Sequence, residues 1–295
     1  MKFKLNKYQF LILLLSILFV VPSWLFSYYQ YPNEDLILKI LNDTVDNLYY
    51  TLAVNYSDFN FKPVYELNSN QITGIAAYPV LTVFIISFFW KIIGPYSFPL
   101  IQLLSTFIVL LIFYNFAVKS TINKFSSFFI SIFCVTFVFF FEYIFDAIDI
   151  KFLQTIHNNL VNFYYYRFPR PIITNLFLFS YIYICFKVFF KDNYKLKYFV
   201  YLGVISGITL HLFYFFFVTQ NILLFFLILK RFGFNKSLFK KQNLKVYLVY
   251  LFVLFIFLLL FFLNSSLADL DYIIRLGPID INFEKGDCVV FYANL

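Results

Sequence analysis

Long apolar runs dominate the sequence and constrain the fold more than any other feature. Several runs reach the ~20 residues that an α-helix needs to cross ~30 Å of hydrocarbon. Only 13% of the 295 residues are charged, whereas a soluble domain carries about 25% charged residues. A helix satisfies its own backbone hydrogen bonds in lipid. The sequence therefore predicts an all-α, polytopic transmembrane helix bundle, with residues 1–295 forming a single transmembrane domain.

The apolar runs give eight candidate membrane segments. The run 198–230 is long for one crossing, and it contains two glycines, a histidine and a polar stretch. We therefore divide it into two short helices that enter and return on the same side. The runs before this division are 8–28, 76–93, 97–118, 125–145, 172–190, 198–230 and 246–263.

Basic residues indicate which runs cross, because short cytoplasmic loops are enriched in Lys and Arg. If run 76–93 does not cross, four basic segments all lie inside. Together they hold fifteen bases against one acid, Asp192. The four segments are the N-terminus, 119–124, 187–197 and 230–245.

Two alternatives let run 76–93 cross the membrane. If all eight segments cross, the six-base loop that begins at Lys230 lies outside. If 198–230 is instead one tilted helix, that loop returns inside, but Lys119, Lys124 and the bases of 191–197 lie outside. The charge count therefore favours about seven crossings, with 76–93 as a juxtamembrane helix in the first outer loop.

This topology predicts a multi-pass membrane protein with a cytoplasmic N-terminus. The outer segments are 29–96, 146–171 and a C-terminal segment, 264–295. The net charge of +8 is explained by the inner loops, so we expect no nucleic-acid partner. Two distant histidines argue against a His-based metal site, and three cysteines without a CxxC pattern give no disulfide framework, so we assign no metal ligands.

Two adjacent acids, Glu34 and Asp35, open the first outer segment. Asn33 is a suitable N-cap after Pro32, and acids in a first helical turn stabilise it by about 0.3–1 kcal/mol each. We expect a helix over 33–50 that lies on the membrane. The acids have two interpretations at this point, as helix-start residues or as carboxylates that meet a lipid-linked headgroup.

Two arginines, Arg167 and Arg170, end the second outer segment. Pro169 and Pro171 favour polyproline II, which has three residues per turn and rises about 3.1 Å per residue. The arginines would then project to one side, roughly 9 Å apart, and could clamp a phosphate or diphosphate. The alternative is non-specific contact with lipid phosphates.

Four further residues are accessory candidates. A polar residue at membrane depth is a functional hypothesis, although a histidine near a hairpin tip could simply bond to backbone. We expect Gly203 and Gly207 to be a close-packing pair. The accessory candidates are Asp146, Asp149, His157 and His211.

The order of these features resembles the GT-C superfamily of membrane glycosyltransferases, which use polyprenyl-phosphate sugars as donors. The resemblance rests on PNED after the first span, on YPVLTVFIISFFWKIIG and on GVISGITLH. The aminoarabinose transferases that modify lipid A and the protein O-mannosyltransferases have an acid at the position of Glu34 and Asp35. The aminoarabinose-transferase pattern has an Asp before the next span, where this chain has RFPRPIIT.

The resemblance implies transfer of a sugar to a lipid, glycan or protein acceptor on the outer face of the bacterial inner (plasma) membrane. Glu34 or Asp35 would act as general base, and Arg167 and Arg170 would bind the leaving phosphate. The implied partners are a polyprenyl-phosphate-linked sugar and membrane lipid, and a divalent cation stays open. The last ten residues, GDCVVFYANL, follow the preceding pattern poorly, so we expect a C-terminally truncated member.

Other functions share parts of this pattern. An O-antigen-type oligosaccharide polymerase or ligase uses the same lipid-phosphate chemistry. A transporter or flippase would require polar residues near the midplane of several spans, whereas these spans consist almost entirely of Phe, Leu and Ile. A non-catalytic membrane protein is the remaining alternative.

Overall fold

The computed structural model describes residues 6–30, 56–59, 80–120, 122–147, 172–191, 193–232 and 241–266. Within these ranges the chain is helical and contains no strand, which confirms the all-α prediction. The helices are α1 (Lys7–Gln30), α2 (Val80–Ile93), α3 (Ser97–Lys119), α4 (Lys124–Ala147), α5 (Ile172–Cys185), α6 (Leu196–Leu212), α7 (Tyr214–Phe232) and α8 (Lys241–Ser266).

Two short elements shape the helix ends. A 3₁₀ turn, Gly94–Tyr96, joins α2 to α3. Gly94 has a φ of 59°, a left-handed conformation that glycine adopts without steric cost. A π-helical turn, Phe186–Phe190, extends α5 by five residues.

The predicted division of the run 198–230 is confirmed. Helix α6 ends at Leu212 and α7 begins at Tyr214. Phe213 between them has extended backbone, and its amide donates to the carbonyl oxygen of Thr209 at 2.7 Å. The chain therefore reverses direction within one residue.

The start of α1, the end of α3 and the start of α4 lie together. The ring of Tyr8 lies 6.3 Å from that of Tyr114 and 6.1 Å from that of Phe128, measured between centroids. The ring of Phe116 near the end of α3 lies 4.5 Å from Phe186, which begins the π-helical turn. Helices α1 and α4 therefore run opposite to α3. The end of α3 also contacts the end of the extended α5.

The remaining helices meet at this same end. Phe189, at the end of the extended α5, contacts Phe199 of α6. Tyr194, just before α6, contacts Phe232 at the end of α7 and Tyr247 near the start of α8. Seven described helices thus alternate in direction: α1, α4, α6 and α8 run one way, and α3, α5 and α7 run the other way.

Nearly all lysines and arginines of the described ranges lie at the end of the bundle where these helices meet. We call this end of the bundle the basic end. Lys91 is the exception among the lysines and arginines of the described ranges. The residues that define the basic end are Lys7, Lys119, Lys124, Lys187, Lys191, Lys195, Lys197, Lys230, Arg231, Lys241 and Lys245.

Trp24 and Lys91 make polar contacts at the opposite end of the bundle. The indole nitrogen of Trp24 donates to Gln102 Oε1 at 2.8 Å, so the end of α1 lies beside the start of α3. Lys91 near the end of α2 forms an exposed ion pair with Asp58 at 3.5 Å. Exposed pairs of this kind contribute about 0–1 kcal/mol, so this pair contributes little to fixing α2.

Membrane-spanning character is clear for part of the bundle. Four described helical segments are long and apolar enough to cross a membrane: Leu81–Lys119, Ile173–Phe190, Tyr214–Phe232 and Asn243–Leu263. Large apolar side chains face outward along them, for example Phe252 with 65% exposure, as expected of surfaces that contact lipid. The predicted number of about seven crossings is not confirmed.

Close packing of α6 on α8 depends on two glycines. A Cβ atom at Gly207 would lie 2.2 Å from Cγ and 2.7 Å from Cβ of Phe257. At Gly203 the nearest atom, Cβ of Val253, would lie 3.0 Å away. Both glycines permit the close approach that small residues provide between membrane helices, as the GxxxG spacing predicts.

We expect Gly207→Ala to lower the melting temperature more than Gly203→Ala. The methyl group at Gly207 forces the Phe257 side chain and α8 to move, and such overpacking costs about 1–3 kcal/mol. Thermal unfolding of the detergent-solubilised protein measures the difference. Gly207→Ala/Phe257→Ala should recover stability relative to Gly207→Ala, and a double variant less stable than Gly207→Ala would contradict the assigned contact.

Candidate functional site

Most of the sequence-predicted site residues lie outside the described residues, as does the expected helix over 33–50. Asp146 lies in the last turn of α4, at the end opposite the basic end. Those outside are Glu34, Asp35, Asp149, His157, Arg167 and Arg170.

The helices that flank these residues share one end of the bundle. Helix α5 runs parallel to α3, because Phe179 contacts Phe113 at 4.7 Å and Phe186 contacts Phe116 at 4.5 Å. Since the start of α3 lies beside the end of α1, the end of α1 and the start of α5 are both opposite the basic end.

Covalent connectivity limits how far the predicted residues can lie from this end. An extended chain spans at most about 3.6 Å per residue. Glu34 is therefore within about 14 Å of Gln30, and Arg170 is within about 7 Å of Ile172. Gln30 and Ile172 are the described residues nearest to the two pairs along the chain, and both lie at the end opposite the basic end.

His211 binds backbone near the end of α6. Its Nε2 lies 3.2 Å from the carbonyl oxygen of Phe257. A carbonyl only accepts, so Nε2 carries the proton in this contact. The imidazole also packs against the rings of Phe257 and Phe261. This arrangement matches the structural interpretation of His211, which is that it ties α6 to α8.

A set of neutral polar side chains links α6, α7 and α8, and we call it the inner polar cluster. Asn221 donates to Ser206 Oγ at 3.1 Å and accepts from the Tyr250 hydroxyl at 2.7 Å. Gln220 is fully buried and donates to Thr209 Oγ1 at 3.2 Å. The five residues thus connect three helices through hydrogen bonds.

The inner polar cluster is suited to fixing helix register rather than to acid–base chemistry. Its groups are hydroxyls and amides, which carry no charge near neutral pH. In the sequence, the polar stretch that includes Gln220 and Asn221 indicates only that the run 198–230 divides. Tyr250 was missed because it is one of 25 tyrosines, and its sequence position does not distinguish it.

A second tyrosine contact holds the basic end together. The Tyr194 hydroxyl donates to that of Tyr247 at 2.5 Å, and the guanidinium carbon of Arg231 lies 5.1 Å from the Tyr194 ring centroid. Burial, followed by the bond to Tyr247, raises the pKa of Tyr194. Its phenol is therefore neutral at physiological pH and remains a donor.

Metal binding and similarity to known proteins give no further guide to function. In the part of the chain that the structure describes, no group of three or more His, Cys, Asp or Glu side chains could hold a metal ion. No protein-family model, curated protein or solved structure matches the chain. Function is therefore inferred from the chain's own residues and contacts.

We expect Tyr250→Phe to destabilise the bundle modestly. The change removes the donor to Asn221 Oδ1, and hydrogen bonds between membrane helices contribute about 0.6 kcal/mol on average, with about 1.7 at most. Thermal unfolding in detergent measures this loss. Tyr201→Phe, at a half-exposed position in α6, is the control and should have no measurable effect. Equal effects of the two substitutions would show that the Tyr250 hydroxyl has no special role.

Proposed function

We propose that the protein is a GT-C-type membrane glycosyltransferase that takes a sugar from a polyprenyl-phosphate donor. The acceptor is a lipid, glycan or protein on the outer face of the bacterial inner membrane. One observation carries the proposal: the helix before the acid pair ends, and the helix after the arginine pair begins, at the end of the bundle opposite the basic end. This observation supports the proposal that the two pairs act on one substrate.

The distribution of charge supports the sidedness. The positive-inside rule assigns the basic end to the cytoplasm, which leaves the acid and arginine pairs outside. A full crossing by α2 would put the start of α1 and the end of α3 on opposite sides. Tyr8 and Tyr114 bring those two ends together, which supports seven crossings with α2 as a juxtamembrane helix.

The proposed reaction is a substitution at the anomeric carbon of the donor sugar. The acceptor hydroxyl oxygen forms a bond to that carbon and gives its proton to Glu34 or Asp35 as general base. The bond from the anomeric carbon to the phosphate oxygen breaks, and its electron pair stays on the phosphate. Arg167 and Arg170 stabilise the departing polyprenyl phosphate through forked hydrogen bonds.

The contribution of α4 is an accessory one. Its last turn brings Asp146 to the end opposite the basic end, and Asp149 and His157 follow in the same predicted loop. These groups could orient the acceptor or the sugar hydroxyls, a role that does not require them to exchange a proton with the reacting atoms.

We expect Glu34→Gln/Asp35→Asn to lower sugar transfer by about 10² to 10⁴, the usual contribution of a general base. The measurement is product formation and polyprenyl-phosphate release by the purified protein in liposomes with donor and acceptor supplied. Asp43→Asn/Asp46→Asn removes the same charge from the same outer segment and should keep transfer near the wild-type rate.

The outcomes of this assay separate the candidate functions. Full turnover by Glu34→Gln/Asp35→Asn would show that neither acid is the base. Products with joined repeating units would indicate a polymerase or ligase instead of a transferase that adds one sugar. Translocation of the donor without release of polyprenyl phosphate would indicate a transporter or flippase.

A further inference from the structure

Two lysines from different helices share one tyrosine ring at the basic end. Lys119 ends α3, and Lys187 lies in the π-helical turn that extends α5. The ammonium nitrogens lie 5.1 Å and 4.3 Å, respectively, from the centroid of the Tyr183 ring. Both ammonium groups therefore approach the same ring, and two like charges are concentrated there.

Helix α6 brings a third lysine to the same end of the bundle. Lys197 lies in the first turn of α6, which contacts the end of the extended α5 through Phe189 and Phe199. The Lys197 nitrogen lies 5.4 Å from the centroid of Tyr198. We call Lys119, Lys187 and Lys197 the lysine cluster.

The described carboxylates do not neutralise the lysine cluster. Asp58 lies at the opposite end in an ion pair, and the acids of α4 lie in the last part of that helix, also away from the basic end. Asp192 is the nearest acid along the chain and lies outside the described residues. Fifteen bases accompany that one acid in the four basic segments, so positive charge remains in excess whatever contact Asp192 makes.

The residues around the lysine cluster are of the kind expected where lipid headgroups meet the hydrocarbon core. Lys187 is half-buried and lies within one turn of the end of the apolar segment Ile173–Phe190. Phe125 and Phe190 at this end expose 60% and 55% of their surfaces. A phosphate attached to acyl chains can contact both the ammonium groups and this apolar surface, whereas a free phosphate ion gains nothing from exposed phenylalanine.

We propose that the lysine cluster binds the phosphate of an anionic lipid headgroup in the cytoplasmic leaflet. An anion between Lys119 and Lys187 replaces their mutual repulsion with two attractions, while the rings of Tyr183 and Tyr198 hold the ammonium groups in place. The site is distinct from the proposed transferase site, which is at the other end of the bundle.

The test uses the full-length protein in phosphatidylcholine nanodiscs that contain increasing fractions of phosphatidylglycerol. Melting temperature and native mass spectrometry report stabilisation and lipid retention. We expect saturable stabilisation of the wild-type protein, with at least tenfold weaker response for Lys119→Gln/Lys187→Gln. Lys119→Arg/Lys187→Arg keeps both charges and should retain the response.

The matched control is Lys124→Gln/Lys195→Gln. It removes two charges from the basic end, and neither lysine contacts Tyr183 in the described contacts, so the control should respond like the wild-type protein. An equal loss in both Gln variants would show that general surface charge binds the lipid, and would overturn the proposal. Stabilisation by inorganic phosphate in pure phosphatidylcholine discs, without any by phosphatidylglycerol, would overturn the assignment to lipid.

Misfolding of the Gln variant can be recognised separately. In pure phosphatidylcholine discs Lys119→Gln/Lys187→Gln should melt close to the wild-type temperature, because the relief of repulsion between like charges offsets the lost cation–π contacts with Tyr183. A variant that melts lower there and still responds to phosphatidylglycerol like the wild type would contradict the proposed site. Transferase activity is not used in this test, so its result is independent of the proposed function.

Discussion

The topology depends on the aromatic contact that joins the start of α1 to the end of α3. Tyr8 stacks on Tyr114 and also meets Phe128, so three helix ends are held at one level. Once α1 and α3 are antiparallel, contacts between helices determine the direction of each later helix. These contacts join α3 to α5, α5 to α6, and α6 to α7 and α8. The concentration of bases at one end follows from that alternation.

Polar groups are arranged along the bundle as the bilayer requires. Charged residues in the described ranges lie in or near the terminal turns of the helices, where water and headgroups can solvate charge. The inner polar cluster between α6, α7 and α8 contains only neutral groups, and most of its donors and acceptors meet partners. The two ends therefore differ chemically. Lysines and tyrosines lie at one end, and the helix ends that flank the predicted acids and arginines lie at the other.

Helix positions could be predicted from the sequence because they follow from the length of apolar runs and from bases at their ends. The break at Phe213 was predictable, since 33 consecutive residues exceed one crossing and polar residues interrupt the run. The GxxxG contact and the backbone bond of His211 were predictable for a similar reason, because local spacing and membrane depth limit what these residues can do.

Contacts between distant residues could not be predicted from the same patterns. The bond from Tyr250 to Asn221 and the sharing of Tyr183 by Lys119 and Lys187 depend on helix rotation, which a nearly uniform apolar sequence does not specify. The hydrophobic faces of these helices are broad, so periodicity gives little information about which side faces a neighbour. The roles of Glu34, Asp35, Arg167 and Arg170 stay predictions, because these residues lie outside the described ranges.

Sidedness of the two ends tests the central claim most directly. The three native cysteines, Cys134, Cys185 and Cys288, are replaced, and single cysteines are introduced at Thr121 and at Phe168. Intact cells are then treated with a membrane-impermeant thiol reagent. We predict that the cysteine at 168 reacts and that the one at 121 reacts only after permeabilisation. Reaction at 121 but not at 168 in intact cells would put the basic end outside and contradict the proposed orientation.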